Sequence, residues 1–283
     1  MIPAPVRNAL TIDVEDYFQV SAFDGHIPRE SWDHQPCRLE RNMDCLLSML
    51  AKHQVAATFF VLGWVAERYP GLVRSIVQAD HELASHGYSH RRASEQDRTE
   101  FLQDISNAKR LLEDIGGTAV KGYRAPSFSI GERNFWALQC VAEAGYLYSS
   151  SIYPIHHDHY GMPGAPRFAF QPGSNDRLLE LPLTTVRILK HNFPAGGGGY
   201  FRLLPYQLSR WCLKRVNERE GQPCIFYFHP WELDPDQPRQ NRVSLKTRFR
   251  HYTNLKRMKS RIEALLSDFQ WDRVDRIFLQ DRS

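Results

Sequence analysis

The chain of 283 residues carries 36 basic and 32 acidic side chains, a formal net charge of +4, with 42% hydrophobic and 12% aromatic residues. That composition supplies a substantial core and excludes the strongly basic surface of a dedicated nucleic-acid binder; no run approaches the ~20 apolar residues of a membrane span. Five scattered cysteines, an odd number without C-x-x-C spacing, point to reduced thiols, and Met1 to Asn8 lacks the apolar stretch of a secretory signal, so the chain reads as cytoplasmic.

Asn8 to Ile12 is a short apolar run ending in Asp13, Glu15 and Asp16, the pattern of a buried strand that delivers carboxylates to its carboxyl end. Helical spacing over Leu39 to His53 is followed by the β-branched and aromatic run Val55 to Leu62. Val65 to Ala79 then reads as a helix, Glu82 to Ala84 as a short strand, Glu95 to Ile115 as a helix, Val120 to Tyr123 as a strand before Pro126, and Arg133 to Ala144 as a helix stopped by Gly145. Strands alternating with helices of this length imply parallel βα units, hence a barrel-like α/β fold.

The second half is less regular. It offers a Pro- and Gly-rich passage from Tyr160 to Pro172, a strand at Leu178 to Leu181, a flexible run from Gly196 to Gly199, a helix from Pro205 to Glu220, a strand from Cys224 to Phe228 and a final amphipathic helix from Leu255 to Phe269. With no repeat and no linker, residues 1–283 read as one domain with loop elaborations from about 155 to 283. The basic segment Arg242 to Arg261 reads first as a solvated helix face, with an anionic polymer or a lipid pyrophosphate carrier as the alternative partner. The sequence itself offers no positive feature for membrane or DNA binding.

Four short stretches carry chemistry. His86 and His90, four positions apart, would face one cation if that spacing lay on a helical turn; two surface histidines beside a turn are the plainer reading. The acids Asp13, Glu15 and Asp16 add the anionic ligand that a cation wants beside neutral imidazoles, or else form a solvated turn. Arg124 at a strand end, with Pro126 stiffening the loop after it, would keep a nearby carboxylate ionised and aimed; taken singly, a surface arginine is the plainer reading. His229 terminates the apolar strand Phe226 to Phe228 and is either a buried core residue or an acid/base.

Taken in order, these stretches resemble the polysaccharide deacetylases, the NodB-homology family of carbohydrate esterases. Thr11-Ile12-Asp13 with its following acids resembles the first family motif, and Ala57 to Gly63 resembles the family's Ala-Thr-Phe-Phe strand. His86 to His90 matches His-x-x-x-His, Arg124 to Pro126 matches Arg-x-Pro, and His229 matches the catalytic histidine. The opening Asp13 to Phe18, Gly196 to Arg202 and His229 to Glu232 look most like the branch encoded beside exopolysaccharide and exosortase genes, with a DUF3473-like carboxyl-terminal part.

The resemblance implies a distorted (β/α) barrel and one divalent ion, Zn²⁺ foremost, with Co²⁺, Ni²⁺ or Fe²⁺ as alternatives. It implies His86, His90 and either Glu15 or Asp16 as ligands, Asp13 as base, Arg124 as its partner and protonated His229 as the acid for the leaving amine. The expected substrate is an N-acetylated oligo- or polysaccharide, gripped near Pro126, Tyr88 and Trp231; Trp64, Phe128, Tyr153 and Tyr200 are further aromatic candidates, though most of these rings are expected in the core. One departure stands out: Ser149 occupies the place of a family aspartate that accompanies the catalytic histidine, so another acid, Glu180 or Glu232, must orient His229 or its pKa must fall. The rival readings are an allantoinase-like hydrolase of a small cyclic amide and a polysaccharide-binding protein whose site has decayed.

Overall fold

A first strand buried on both faces sets the architecture. In the computed structural model, which describes residues 6–157, 160–173 and 178–280, β1 (Arg7–Val14) is buried from Asn8 onward. Leu10, Ile12 and Val14 pack into a large core with the helices, whereas Ala9 joins a second cluster with Phe60, Ala84 and Tyr148. The period of two thereby turns Thr11 and Asp13 towards the inside of the curled sheet.

In chain order β1 is followed by α1 (Leu39–His53), β2 (Thr58–Val61), α2 (Gly63–Arg68), α3 (Pro70–Gln78), β3 (Glu82–Ser85), α4 (Arg98–Gly116), β4 (Gly122–Tyr123), α5 (Ala137–Glu143) and β5 (Tyr148–Ser149). Then come β6 (Leu179–Glu180), β7 (Thr185–Ile188), β8 (His191–Pro194), α6 (Gly198–Leu203), α7 (Tyr206–Glu220), β9 (Ile225–Phe228), α8 (Leu245–Tyr252), α9 (Leu255–Asp268), β10 (Gln270–Asp272) and α10 (Val274–Phe278). Strands β1 to β6 pair in sequence order, all parallel, and β1 also pairs in parallel with β9 and β10. The result is a distorted (β/α) barrel into which β6, β9 and β10 of the second half are woven. β7 and β8 form a separate antiparallel hairpin.

Local chemistry explains where the elements stop. The helix expected over Val65 to Ala79 is instead α2 and α3, broken before Pro70, whose ring disfavours helical geometry at Tyr69 (φ −126°, ψ 57°). α4 begins at a capping box between Asp97 and Glu100 and ends at Gly117, left-handed at φ 62°. The helix expected over Arg133 to Ala144 is regular only from Ala137.

The glycine run is the largest correction to local structure. It is a packed approach rather than a flexible tether: a Cβ at Gly196 would lie 2.3 Å from the Ile225 carbonyl oxygen, and one at Gly198 would lie 2.3 Å from Glu232 Oε1. Only glycine lets this segment touch β9 and then enter α6. All five cysteines are unpaired, and among the described residues no helix is long and apolar enough to cross a membrane.

Candidate metal centre and catalytic cleft

Parallel strands deliver the chemistry to their carboxyl ends. Asp13 lies on β1, Glu15 follows its end, His86 follows β3, Arg124 follows β4 and His229 follows β9. One ligand atom each from Glu15, His86 and His90 lies within 4.8 Å of the others, and all three residues are buried. Glu15 Oε1 is 3.0 Å from His86 Nε2 and 2.9 Å from His90 Nε2.

The histidines converge by a mechanism other than the helical turn expected from their spacing. His86 to His90 is a loop, reversed by Gly87 at φ 75° and His90 at φ 55°. Arg29 holds it from outside, donating from Nε to the Ser89 carbonyl (2.9 Å) and from Nη2 to the His90 carbonyl (3.0 Å). Nothing in the sequence pointed to Arg29, because a clamp on backbone carbonyls leaves no motif.

The donor set suits a divalent cation. His86 Nδ1 is 2.8 Å from the Arg124 carbonyl oxygen, so that nitrogen carries the proton and Nε2 presents a bare lone pair to the Glu15 oxygen. Two electron-rich atoms facing each other at 3.0 Å call for a proton or a metal ion between them. His90 Nδ1 is buried without a partner. Burial raises the Glu15 pKa, but the neighbouring imidazoles of His90, His229 and His86 outweigh it and hold the carboxyl well below its usual range.

Asp16, the alternative acid, is not in this cluster. Its Oδ1 accepts from the Tyr17 amide (2.7 Å) and its Oδ2 from the Arg38 amide (2.5 Å), so it ties two loops together. Burial raises its pKa against those hydrogen bonds.

Asp13 meets Arg124 inside the barrel, with Nη1 donating to Oδ1 at 2.7 Å. Arg124 is wholly buried and also donates to Thr11 Oγ1, the Ser150 carbonyl and Ser150 Oγ, while its guanidinium lies 4.1 Å from the Phe60 ring centroid. The other Asp13 oxygen, Oδ2, is 4.0 Å from His229 Nε2.

His229 is oriented from the far side. Its Nδ1 donates to Glu232 Oε1 at 2.9 Å, its backbone N–H donates to the same oxygen at 3.1 Å, and Glu232 Oε2 accepts from Arg202 Nε at 2.6 Å. Of the two acids left open by Ser149, Glu232 is therefore the one in contact. Glu180 instead accepts from the Ser151 and Ile152 amides, both at 2.9 Å. Burial opposes protonation of His229, yet Glu15, Glu232 and Asp13 together raise its pKa to about 9. Burial likewise opposes ionisation of Glu232, but Arg202 and His229 lower it to about 2. Trp231 stacks between His229 and His251, at 5.4 and 4.2 Å.

These groups open into a cleft of about 470 Å³ whose lining includes Asp13, Glu15, His86, His90, His229 and Trp231. Phe128 also lines it, whereas Pro126 and Tyr88 do not. Tyr88 turns the other way because its ring lies over Gly63, where a Cβ would come within 2.4 Å of Cδ2, and its hydroxyl donates to Glu67 at 2.8 Å. Tyr88→Phe is thus expected to leave turnover within about twofold of wild type and to cost at most ~1 kcal/mol in a denaturant titration.

A distorted parallel α/β barrel with an acid and two imidazoles at its strand ends is the class that fold and site define. The polysaccharide deacetylase family model matches residues 31–149, and the model described as a domain of unknown function, DUF3473, matches residues 150–279. Over 33% of its length it is 34% identical to a peptidoglycan-N-acetylglucosamine deacetylase of Bacillus cereus, of which that match covers 34%. Over 53% it is 28% identical to the chitooligosaccharide deacetylase of Bradyrhizobium sp., covering 76% of that relative. The chain thus spans about a third of the first relative's length and about three quarters of the second's.

Among solved structures, one assigned to the polysaccharide deacetylases, from Mycobacterium smegmatis, superposes with a TM-score of 0.59 at 21% identity, over 98% of this chain and 93% of that one. Puue allantoinase superposes with a TM-score of 0.58 at 16% identity, over 96% and 88%. At such identities the likeness is one of fold.

Proposed function

We propose that the protein is a metal-dependent polysaccharide N-deacetylase acting on N-acetylated amino sugars of a bacterial polysaccharide, with residues 1–283 working as one unit. The observation that carries this reading is the convergence of Glu15, His86 and His90 in the same cleft as Asp13 and His229. Glu15, His86 and His90 would hold the ion, Zn²⁺ foremost, because imidazole and carboxylate donors suit it. When bound, such an ion polarises the acetamide carbonyl and acidifies water.

The chain's own residues divide the remaining work. Asp13, whose Oδ1 accepts from Arg124 at 2.7 Å, takes the proton of the attacking water through its other oxygen, Oδ2. His229 carries the proton that the leaving amine needs, since an amide anion does not depart unprotonated. Arg124 keeps Asp13 aimed and away from the histidine. Trp231 and Phe128 offer aromatic walls to the apolar faces of sugar rings. An exopolysaccharide as the natural polymer rests on the resemblance of Asp13 to Phe18, Gly196 to Arg202 and His229 to Glu232 to proteins of that branch.

The test is acetate release from acetylated chitooligosaccharides, read beside metal content. Wild type is expected to bind one divalent ion and to release acetate; chelation abolishes turnover and added metal restores it. His86→Ala is expected to lose both the ion and the activity. Metal-loaded protein that releases no acetate from N-acetylated glycans, yet opens allantoin, would replace this reading with the cyclic-amide one.

A further inference from the structure

From Gln237 to Ile262 the chain contains nine lysines and arginines and no acid. In a protein whose overall charge is only +4, so one-sided a segment creates a local positive field. The structure adds what the sequence withheld. α8 sits in this segment and exposes Leu245 by 79% and Phe249 by 63%, two of the most exposed large apolar side chains among the described residues.

Leu245 and Phe249 are four positions apart and share one face of α8. Lys246 and Arg250, both exposed, follow each of them along the helix, and Arg242 precedes it. The opposite side of α8 is anchored: His251 is buried, stacked on Trp231 at 4.2 Å, and its Nε2 lies 2.7 Å from Gln237 Oε1. The outward pair is therefore held in place at the cost of exposure, where a merely solvated face would carry polar residues.

Apolar side chains ringed by basic ones match an anionic bilayer: the apolar pair enters the boundary between headgroups and acyl chains while the cations meet the phosphates. We propose that α8, with Leu245 and Phe249 as inserted side chains, docks the protein onto an anionic lipid surface. Thr247 and Arg250 of the same helix line the catalytic cleft, so docking would bring that cleft beside the bilayer, where glycans linked to lipid lie.

The test is co-sedimentation of the full chain with phosphatidylcholine vesicles, with and without phosphatidylglycerol. Binding is expected only to the anionic vesicles, weakening as salt is raised, and the double variant Leu245→Ser/Phe249→Ser is expected to bind about tenfold or more weakly. The double variant should keep wild-type turnover of a soluble substrate, because neither side chain lines the cleft. No binding to anionic vesicles, or equal binding by the variant, overturns the proposal. So does a segment that prefers an acidic polysaccharide to the vesicles in competition. Each of these results is independent of the reaction the cleft catalyses.

Discussion

Asp13→Asn is expected to lower acetate release by about 10²–10⁴-fold while leaving the divalent ion in place. Geometry separates the two effects. The candidate ligand atoms belong to Glu15, His86 and His90, whereas Asp13 Oδ1 accepts from Arg124 and Oδ2 faces His229 across 4.0 Å. An asparagine in the same rotamer still accepts from Arg124 through its carbonyl oxygen, so the loop following β4 keeps its place. It cannot take up the proton of an attacking water.

A cost in stability accompanies the change, because Arg124 is wholly buried and loses its counter-charge. Removing one member of a buried pair costs on the order of 3–5 kcal/mol, and asparagine, which retains the hydrogen bond, should cost less. Metal content, thermal melting and acetate release on the same preparation distinguish these effects. Wild-type turnover in Asp13→Asn would remove this residue from the chemistry, and loss of the metal would mean that it belongs to the ligand set.

The barrel was legible in the sequence because buried parallel strands read as short apolar runs and the intervening helices carry strong periodicity; β1, β2, β3 and β9 fall where those runs lie. β4 and β6 fall within the runs Val120 to Tyr123 and Leu178 to Leu181 although each is only two residues long, whereas β5, equally short, lies in no run that periodicity registers. The hairpin β7–β8 and the helices α6 and α8 were missed for a different reason. α6 begins within glycines whose role is close approach to β9 and Glu232, and glycine alone signals freedom rather than contact. Among site residues, Asp13, His86, His90, Arg124 and His229 stood at the ends of recognisable stretches. That Glu15 and not Asp16 lies beside the two histidines follows from the path of the loop after β1, and the partnership of Glu232 with Arg202, 30 residues apart, required the fold.

The second large effect is expected at Glu232, which accepts from His229 Nδ1 at 2.9 Å. In Glu232→Gln the alkaline limb of the rate profile should begin at lower pH, because His229 must be protonated to donate and loses one of the charges that hold its proton. In the ion-free protein His229 titrates near 9; the variant should titrate nearer the ordinary value of about 6.5. A bound divalent ion acts in the same direction in both proteins, since it offsets the Glu15 charge that also raises His229.

The same pair sets a stability window. A raised histidine pKa stabilises the fold fully below about 6.5 and ceases to do so as pH climbs through about 9, while a depressed carboxylate pKa stabilises above about 4.5 and fails as pH falls through about 2. The pair's contribution is therefore greatest between about pH 4.5 and 6.5 and declines on both sides. Glu232→Gln should flatten that dependence and destabilise the protein at neutral pH, because Arg202, 3% exposed, is left buried without its carboxylate. Imidazole titration by NMR on metal-free wild type and variant reads the histidine directly, and melting across pH reads the linkage. A His229 titration unchanged by the substitution would show that Glu232 serves Arg202 and the packing of α6 alone, and that the histidine is oriented by something else.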